Sequence, residues 1–135
     1  MKNAFVYAEI DKEIYVIQPK GFEKGSPQLV YRLKKALYGL KQSPRLWYTH
    51  LKSVLAKQGF DVFLYNEGVF IHREKGIIIA YYVNDFIITG PNNKEIKTII
   101  TVISLEIKLL YIGNVSNFLG NEIIIDKKEK TLFIY

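Results

Sequence analysis

The chain has 135 residues, which fits one domain of the usual size of roughly 100 to 200 residues and is too short for a complete large enzyme. With 49% hydrophobic, 14% aromatic and 24% charged residues it has material for a core, and it lacks the high charge of a disordered segment. Lys and Arg exceed Asp and Glu by 19 − 13 = +6, which favours an anionic partner such as nucleic acid or acidic lipid. There is no cysteine, so disulfides, thiolate metal clusters and a cysteine nucleophile are excluded.

No uninterrupted apolar run exceeds Ile77 to Val83, far below the roughly 20 residues of a membrane helix. The N-terminus reaches Glu9 and Asp11 without an apolar stretch of signal-peptide type. The expectation is an intracellular protein, cytoplasmic or nuclear, with no membrane partner. No repeat, low-complexity tract or linker divides the chain, so residues 1–135 are expected to form a single unit.

In chain order, Ile14-Tyr15-Val16-Ile17 predicts a short strand closed by Pro19 and Gly21. A helix is predicted after Ser43-Pro44, with serine as the cap and proline in the first turn. Its apolar stripe is Trp47, Leu51, Val54 and Leu55, and Gly59 stops it. Trp47 therefore reads as core. Strands follow at Val69 to His72, Ile77 to Val83 and Phe86 to Thr89, the first two around Arg73-Glu74-Lys75-Gly76. Ile77 to Val83 is apolar at every position, as for a strand buried on both faces.

A second helix is predicted from Asn92, capped with the help of Glu95, through Ile96, Ile99, Ile100, Ile103 and Ile107. Phe118 to Ile125 and Thr131 to Tyr135 predict a last hairpin around a charged tip. The order of elements predicts an α+β fold, with helices on one face of a mainly antiparallel sheet.

The polar pair Asn84-Asp85 interrupts the apolar block and places Asp85 at a hairpin tip. On spacing alone it is an ordinary turn, since both side chains tolerate turn dihedrals. Its context is more specific. Tyr31-Arg32-Leu33-Lys34-Lys35-Ala36-Leu37-Tyr38-Gly39-Leu40-Lys41-Gln42-Ser43-Pro44-Arg45-Leu46-Trp47-Tyr48 resembles the signature block of copia-type LTR retrotransposon reverse transcriptases. Lys2-Asn3-Ala4-Phe5, Ile14 to Phe22, Tyr82-Val83-Asn84-Asp85 and Phe118-Leu119-Gly120-Asn121-Glu122-Ile123 match in the same order.

The resemblance implies a polymerase palm, RNA template and DNA primer as partners, dNTP as substrate, and two Mg²⁺ ions held by carboxylates. In the family one aspartate lies just before the Lys-Asn-Ala-Phe motif and two end the Tyr-Val-Asp-Asp turn. Here the first would precede Met1 and the second position is Asn84, so Asp85 is the surviving catalytic and metal-binding position. A neutral amide is a poor substitute for a carboxylate around a hard dication, so weak metal binding and lost catalysis are expected.

The resemblance also sets Asn3 and Ala4 against the incoming triphosphate and makes Phe5 the aromatic gate against a ribose 2′-hydroxyl. A core role for Phe5 fits the residue type equally. Gly39, Ser43 and Pro44 match the segment beneath the nascent base pair, although Ser43-Pro44 also reads as a plain helix start. Phe118 to Ile123 matches the primer grip, while its glycine also suits a bulge.

Lys34, Lys35, Lys41 and Arg45 are candidates for template phosphates, or else simply solvated charges. His50 and His72 are isolated and are assigned no role. The chain is expected to be an incomplete palm without its N-terminal catalytic strand, most of the fingers or the thumb. It would be inclined to self-associate through an exposed sheet edge. The alternatives are a non-catalytic nucleic-acid-binding module and a decayed element without function.

Overall fold

A computed structural model describes residues 4–126 and 128–135. The described residues form a small α+β assembly of two α-helices and three separate antiparallel sheets. A 3₁₀ helix, Ala4–Tyr7, comes first, followed by the ribbon of β1 (Tyr15–Ile17) and β2 (Val30–Arg32). The two arms of the ribbon continue toward the 3₁₀ helix, with Ala36 donating its amide to the Ala8 carbonyl at 3.0 Å.

Helix α1 (Ser43–Lys57) then leads into a meander of β3 (Asp61–Phe63), β4 (Asn66–His72), β5 (Ile77–Tyr82) and β6 (Asp85–Thr89). Helix α2 (Asn93–Glu106) follows, and β7 (Asn117–Phe118), β8 (Asn121–Asp126) and β9 (Thr131–Ile134) form the last sheet. A single mainly antiparallel sheet was the expectation. The strands instead divide, because β1 and β2 are only three residues each and the last three strands pair only with one another.

The core forms where the helices cover one face of the meander. Trp47, Leu51, Val54 and Leu55 of α1 and Ile99 and Ile103 of α2 are buried, together with Phe70, Ile77 and Ile79 from the sheet. Register explains the selection: Phe70 pairs with Ile79 and His72 with Ile77, so these side chains share one face of the pleat.

Ile77 to Val83 is therefore not buried on both faces. Ile78, Tyr82 and Val83 are exposed, because no helix among the described residues lies on the second face. Full burial of one side chain such as Leu51 stabilises by about 1.5–3 kcal/mol, and α1 contributes four such residues.

Helix ends differ in how they are held. Asn92 caps α2, accepting from the Lys94 amide at 2.9 Å, while its side-chain amide donates to Glu95 at 3.3 Å. In α1 the expected serine cap is absent. Gln42 occupies the N-cap position without a side-chain bond, and Ser43, already helical, donates its hydroxyl back to the Leu37 carbonyl. Serine thus fastens the preceding loop rather than the first amides. No helix of the described residues is long and apolar enough to cross a membrane.

Candidate functional site

Three segments distant in sequence meet near the end of the meander. The first is the β5–β6 hairpin. Tyr82 pairs with Asp85, so the two loop residues are Val83 and Asn84, and Asp85 opens β6 instead of lying in the turn itself. Val83 sits at φ 50°, a left-handed conformation that a β-branched residue adopts only under strain.

The second segment is the loop before α1. Gly39, at φ 92°, allows the turn, and the space where a Cβ would stand is open to 4 Å. Its glycine is thus explained by backbone conformation, without a close packing partner. The loop presents Tyr38, whose hydroxyl donates to Asn84 Oδ1 at 3.0 Å across 46 residues of sequence. The Tyr38 ring also lies 4.4 Å from that of Phe5, centroid to centroid, tilted by 48°. Sequence spacing gave no sign of this Phe5–Tyr38–Asn84 chain.

Ala4 and Phe5 are both buried, Phe5 being 8% exposed, so the ring expected to face a nucleotide is also part of the core. Asn3 lies outside the described residues.

The third segment is the β7–β8 hairpin. Phe118 pairs with Asn121, and the loop residues Leu119 and Gly120 lie at φ 52° and 86°, both positive as a type I′ turn requires. The glycine thus makes a tight turn here, with no bulge. Asn121 donates its side-chain amide to the Phe118 carbonyl at 3.3 Å. Ile123 is tied to the Ser116 carbonyl and Glu122 to Tyr135 through backbone bonds.

The tip of this hairpin faces the meander across an open cleft of about 520 Å³ lined by Tyr48, Glu67, Tyr81, Tyr82, Val83, Phe118 and Leu119. Tyr48 and Tyr81 stack at 22°. Burial pushes both phenols above their ordinary value, and the nearby Glu67 carboxylate adds to the shift. They are therefore neutral at physiological pH.

The structure brings Asn84 together with Tyr38, which in turn packs on Phe5, and Val83 together with Phe118 and Leu119. Ser43 and Pro44 stand behind the Tyr38 loop at the start of α1, with Ser43 fully buried.

The basic residues divide into two kinds. Arg45 is paired with Asp11, pulling the Asp11 carboxyl below its usual range, and Lys35 meets Glu9 at 3.4 Å. Lys34 and Lys41 are exposed and take part in none of the ion pairs formed among the described residues.

Comparison with known proteins identifies the lineage. The family model described as reverse transcriptase (RNA-dependent DNA polymerase) matches residues 1–135. The retrovirus-related Pol polyprotein from transposon RE2 of Arabidopsis thaliana is 36% identical over 125 residues, covering 90% of this chain and 9% of that protein. The corresponding polyprotein from transposon TNT 1-94 of Nicotiana tabacum is 31% identical over 138 residues, covering 99% of this chain and 10% of its own length. A putative transposon Ty5-1 protein of Saccharomyces cerevisiae is 35% identical over 125 residues, 87% of this chain and 39% of that one. The chain thus spans about a tenth of the plant polyproteins. No solved structure matches it. Motif order and these relatives agree: the chain belongs to the reverse transcriptase family, in its copia-type retrotransposon branch.

Proposed function

We propose that the chain is a polymerase palm segment that binds an RNA template paired with a DNA primer, admits a nucleoside triphosphate toward Ala4 and Phe5, and does not catalyse nucleotidyl transfer. One juxtaposition carries it: Tyr82 and Val83 of the β5–β6 turn and the Phe118–Leu119 tip line the same cleft, and Asp85 pairs with Tyr82 at its edge, so a primer end would lie beside that turn. The aromatic walls suit bases, which stack on tyrosine rings without sequence preference. Lys34 and Lys41 supply charge for phosphates, and Gly39, Ser43 and Pro44 support the loop beneath the templating strand. Residues 118–123 grip the primer.

Mg²⁺ is the family's cofactor, and the donor set of the described residues does not fit a two-ion centre. Asp85 offers one exposed carboxylate, and the Asn84 oxygen is neutral and already accepts from Tyr38. No group of three or more His, Asp or Glu among the described residues could hold an ion. Hard dications favour several anionic oxygens, which this turn does not supply. Self-association belongs to the same proposal, since β9 is an edge strand whose four residues are all exposed.

Fluorescence anisotropy with a labelled RNA–DNA heteroduplex tests binding, and primer extension with Mg²⁺ or Mn²⁺ tests chemistry. Salt-sensitive binding without extension is expected. Extension above a mock preparation refutes the inactivity, and absence of binding at low salt refutes the template–primer role. Sedimentation showing a monomer throughout the micromolar range refutes self-association.

A further inference from the structure

A half-exposed ring covers a nearly sealed one. Tyr38 is 52% exposed, and the Phe5 ring behind it only 8%. The cover is fastened at its far end by the hydroxyl, which donates to Asn84 on the strained β5–β6 turn at 3.0 Å.

The backbone beneath Tyr38 is fixed independently of this contact. The Ser43 hydroxyl and the Leu40 amide both donate to the Leu37 carbonyl, the latter at 3.4 Å. Opening therefore needs a rotation of one side chain, with no loop rearrangement, and exposed side chains change rotamer within nanoseconds.

We propose that Tyr38 is a latch that shields the Phe5 ring from a nucleoside triphosphate while its hydroxyl is held by Asn84. This rests on Phe5 facing the nucleotide, as put forward under Proposed function, and adds the regulation of that site. A neutral surface hydrogen bond shifts the closed-to-open ratio by only about two- to tenfold, so the latch tunes affinity without abolishing binding. The acceptor sets its strength. A carboxylate at position 84 would hold the hydroxyl about twice as strongly as the amide does.

The test uses the whole chain in metal-free buffer. First, para-fluorophenylalanine at position 5 reports solvent access through the difference in ¹⁹F shift between H₂O and D₂O. Second, dATP is titrated against the parent, Tyr38→Phe, Tyr38→Ala, Asn84→Asp and the Tyr38→Phe/Asn84→Asp double variant.

Tyr38→Phe should raise the isotope shift and tighten dATP about two- to tenfold, the value of the lost hydrogen bond. Tyr38→Ala should expose residue 5 outright. Asn84→Asp should weaken dATP more in the parent than in the Tyr38→Phe background, a difference that separates the latch from simple charge repulsion. An isotope shift unchanged in both Tyr38 variants overturns the latch, as does dATP affinity unchanged by Tyr38→Phe. Heteroduplex binding with no dATP binding in any variant also overturns it and leaves the template–primer role standing. Loss of both sinks that role as well.

Discussion

Replacing Lys34 and Lys41 together by alanine separates free from committed positive charge. Both lysines are exposed and unpaired with any carboxylate among the described residues, on either side of the loop that carries Tyr38. If each neutralises one phosphate, each contributes about 0.7 to 0.9 to the slope of log affinity against log salt. The double variant should then lose about 1.4 to 1.8 from that slope. Between 50 and 200 mM salt, one such contact changes affinity by roughly threefold, so two change it by roughly tenfold.

Arg45→Ala is the control. Its guanidinium is held by Asp11, and an exposed pair of this kind must be broken before a phosphate can take the charge. Its effect on the slope should be less than half that of one lysine. The assay is anisotropy of a labelled heteroduplex at four salt concentrations, with circular dichroism confirming that the variants are folded. An unchanged slope in the lysine double variant, or an equal loss in Arg45→Ala, refutes the assignment of phosphate contacts.

Further outcomes follow from burial, backbone strain and titration. Leu51→Ala empties a fully buried site between α1 and the sheet, and should cost about 3 kcal/mol, lowering the melting temperature by roughly 10 °C; a shift under 3 °C would show that the site collapses or is not core. Val83→Gly relieves a left-handed valine at φ 50°. Strain of about 1–2 kcal/mol set against a glycine entropy cost of about 0.5–1 kcal/mol gives a small net gain in the urea midpoint, and a clear loss would refute the strain. Burial holds the His50 imidazole below its ordinary 6.5; Lys35 and Lys57 push the same way, and Glu106 and Glu9 oppose. The unfolded chain therefore takes up the proton first. Stability from this group is full above pH 6.5 and erodes as pH falls below it. His50→Asn should flatten the change in denaturant midpoint between pH 8 and pH 5, and an unaltered dependence would exclude His50 as its source.

What the sequence makes legible is local chemistry. Asn92 and Glu95 mark the start of α2 because the capping groups lie three residues apart, and the capping side chain does bond the first turn. The stripe of Trp47, Leu51, Val54 and Leu55 is buried as its spacing predicts, because helix geometry alone puts those residues on one face. Strands β2 and β3, three residues each, both escape sequence reading. Ile77 to Val83 misleads because a run of apolar residues does not say how many faces a neighbour covers. The Tyr38 contact with Asn84 joins positions 46 apart, and no local rule reaches that far.

The 49% hydrophobic content reads as ample material for a core, yet much of it lies outside one. Ile124, Ile125, Leu132, Phe133, Ile134 and Tyr135 of the last sheet are each at least 45% exposed, while Phe70, Ile77 and Ile79 of the meander are sealed. Backbone pairing between β8 and β9 is the main order in that sheet, and pairing without burial gives the lower end of local stability. The two walls of the cleft therefore differ in kind. Tyr48, Tyr81 and Tyr82 stand on elements anchored by the helical core, whereas Phe118 and Leu119 stand on a hairpin with little apolar support. Whatever shifts the last sheet moves the Phe118–Leu119 wall first and leaves Asn84 and Asp85 in place. The width of the cleft is then set by the less stable half, and the position of the turn by the more stable one.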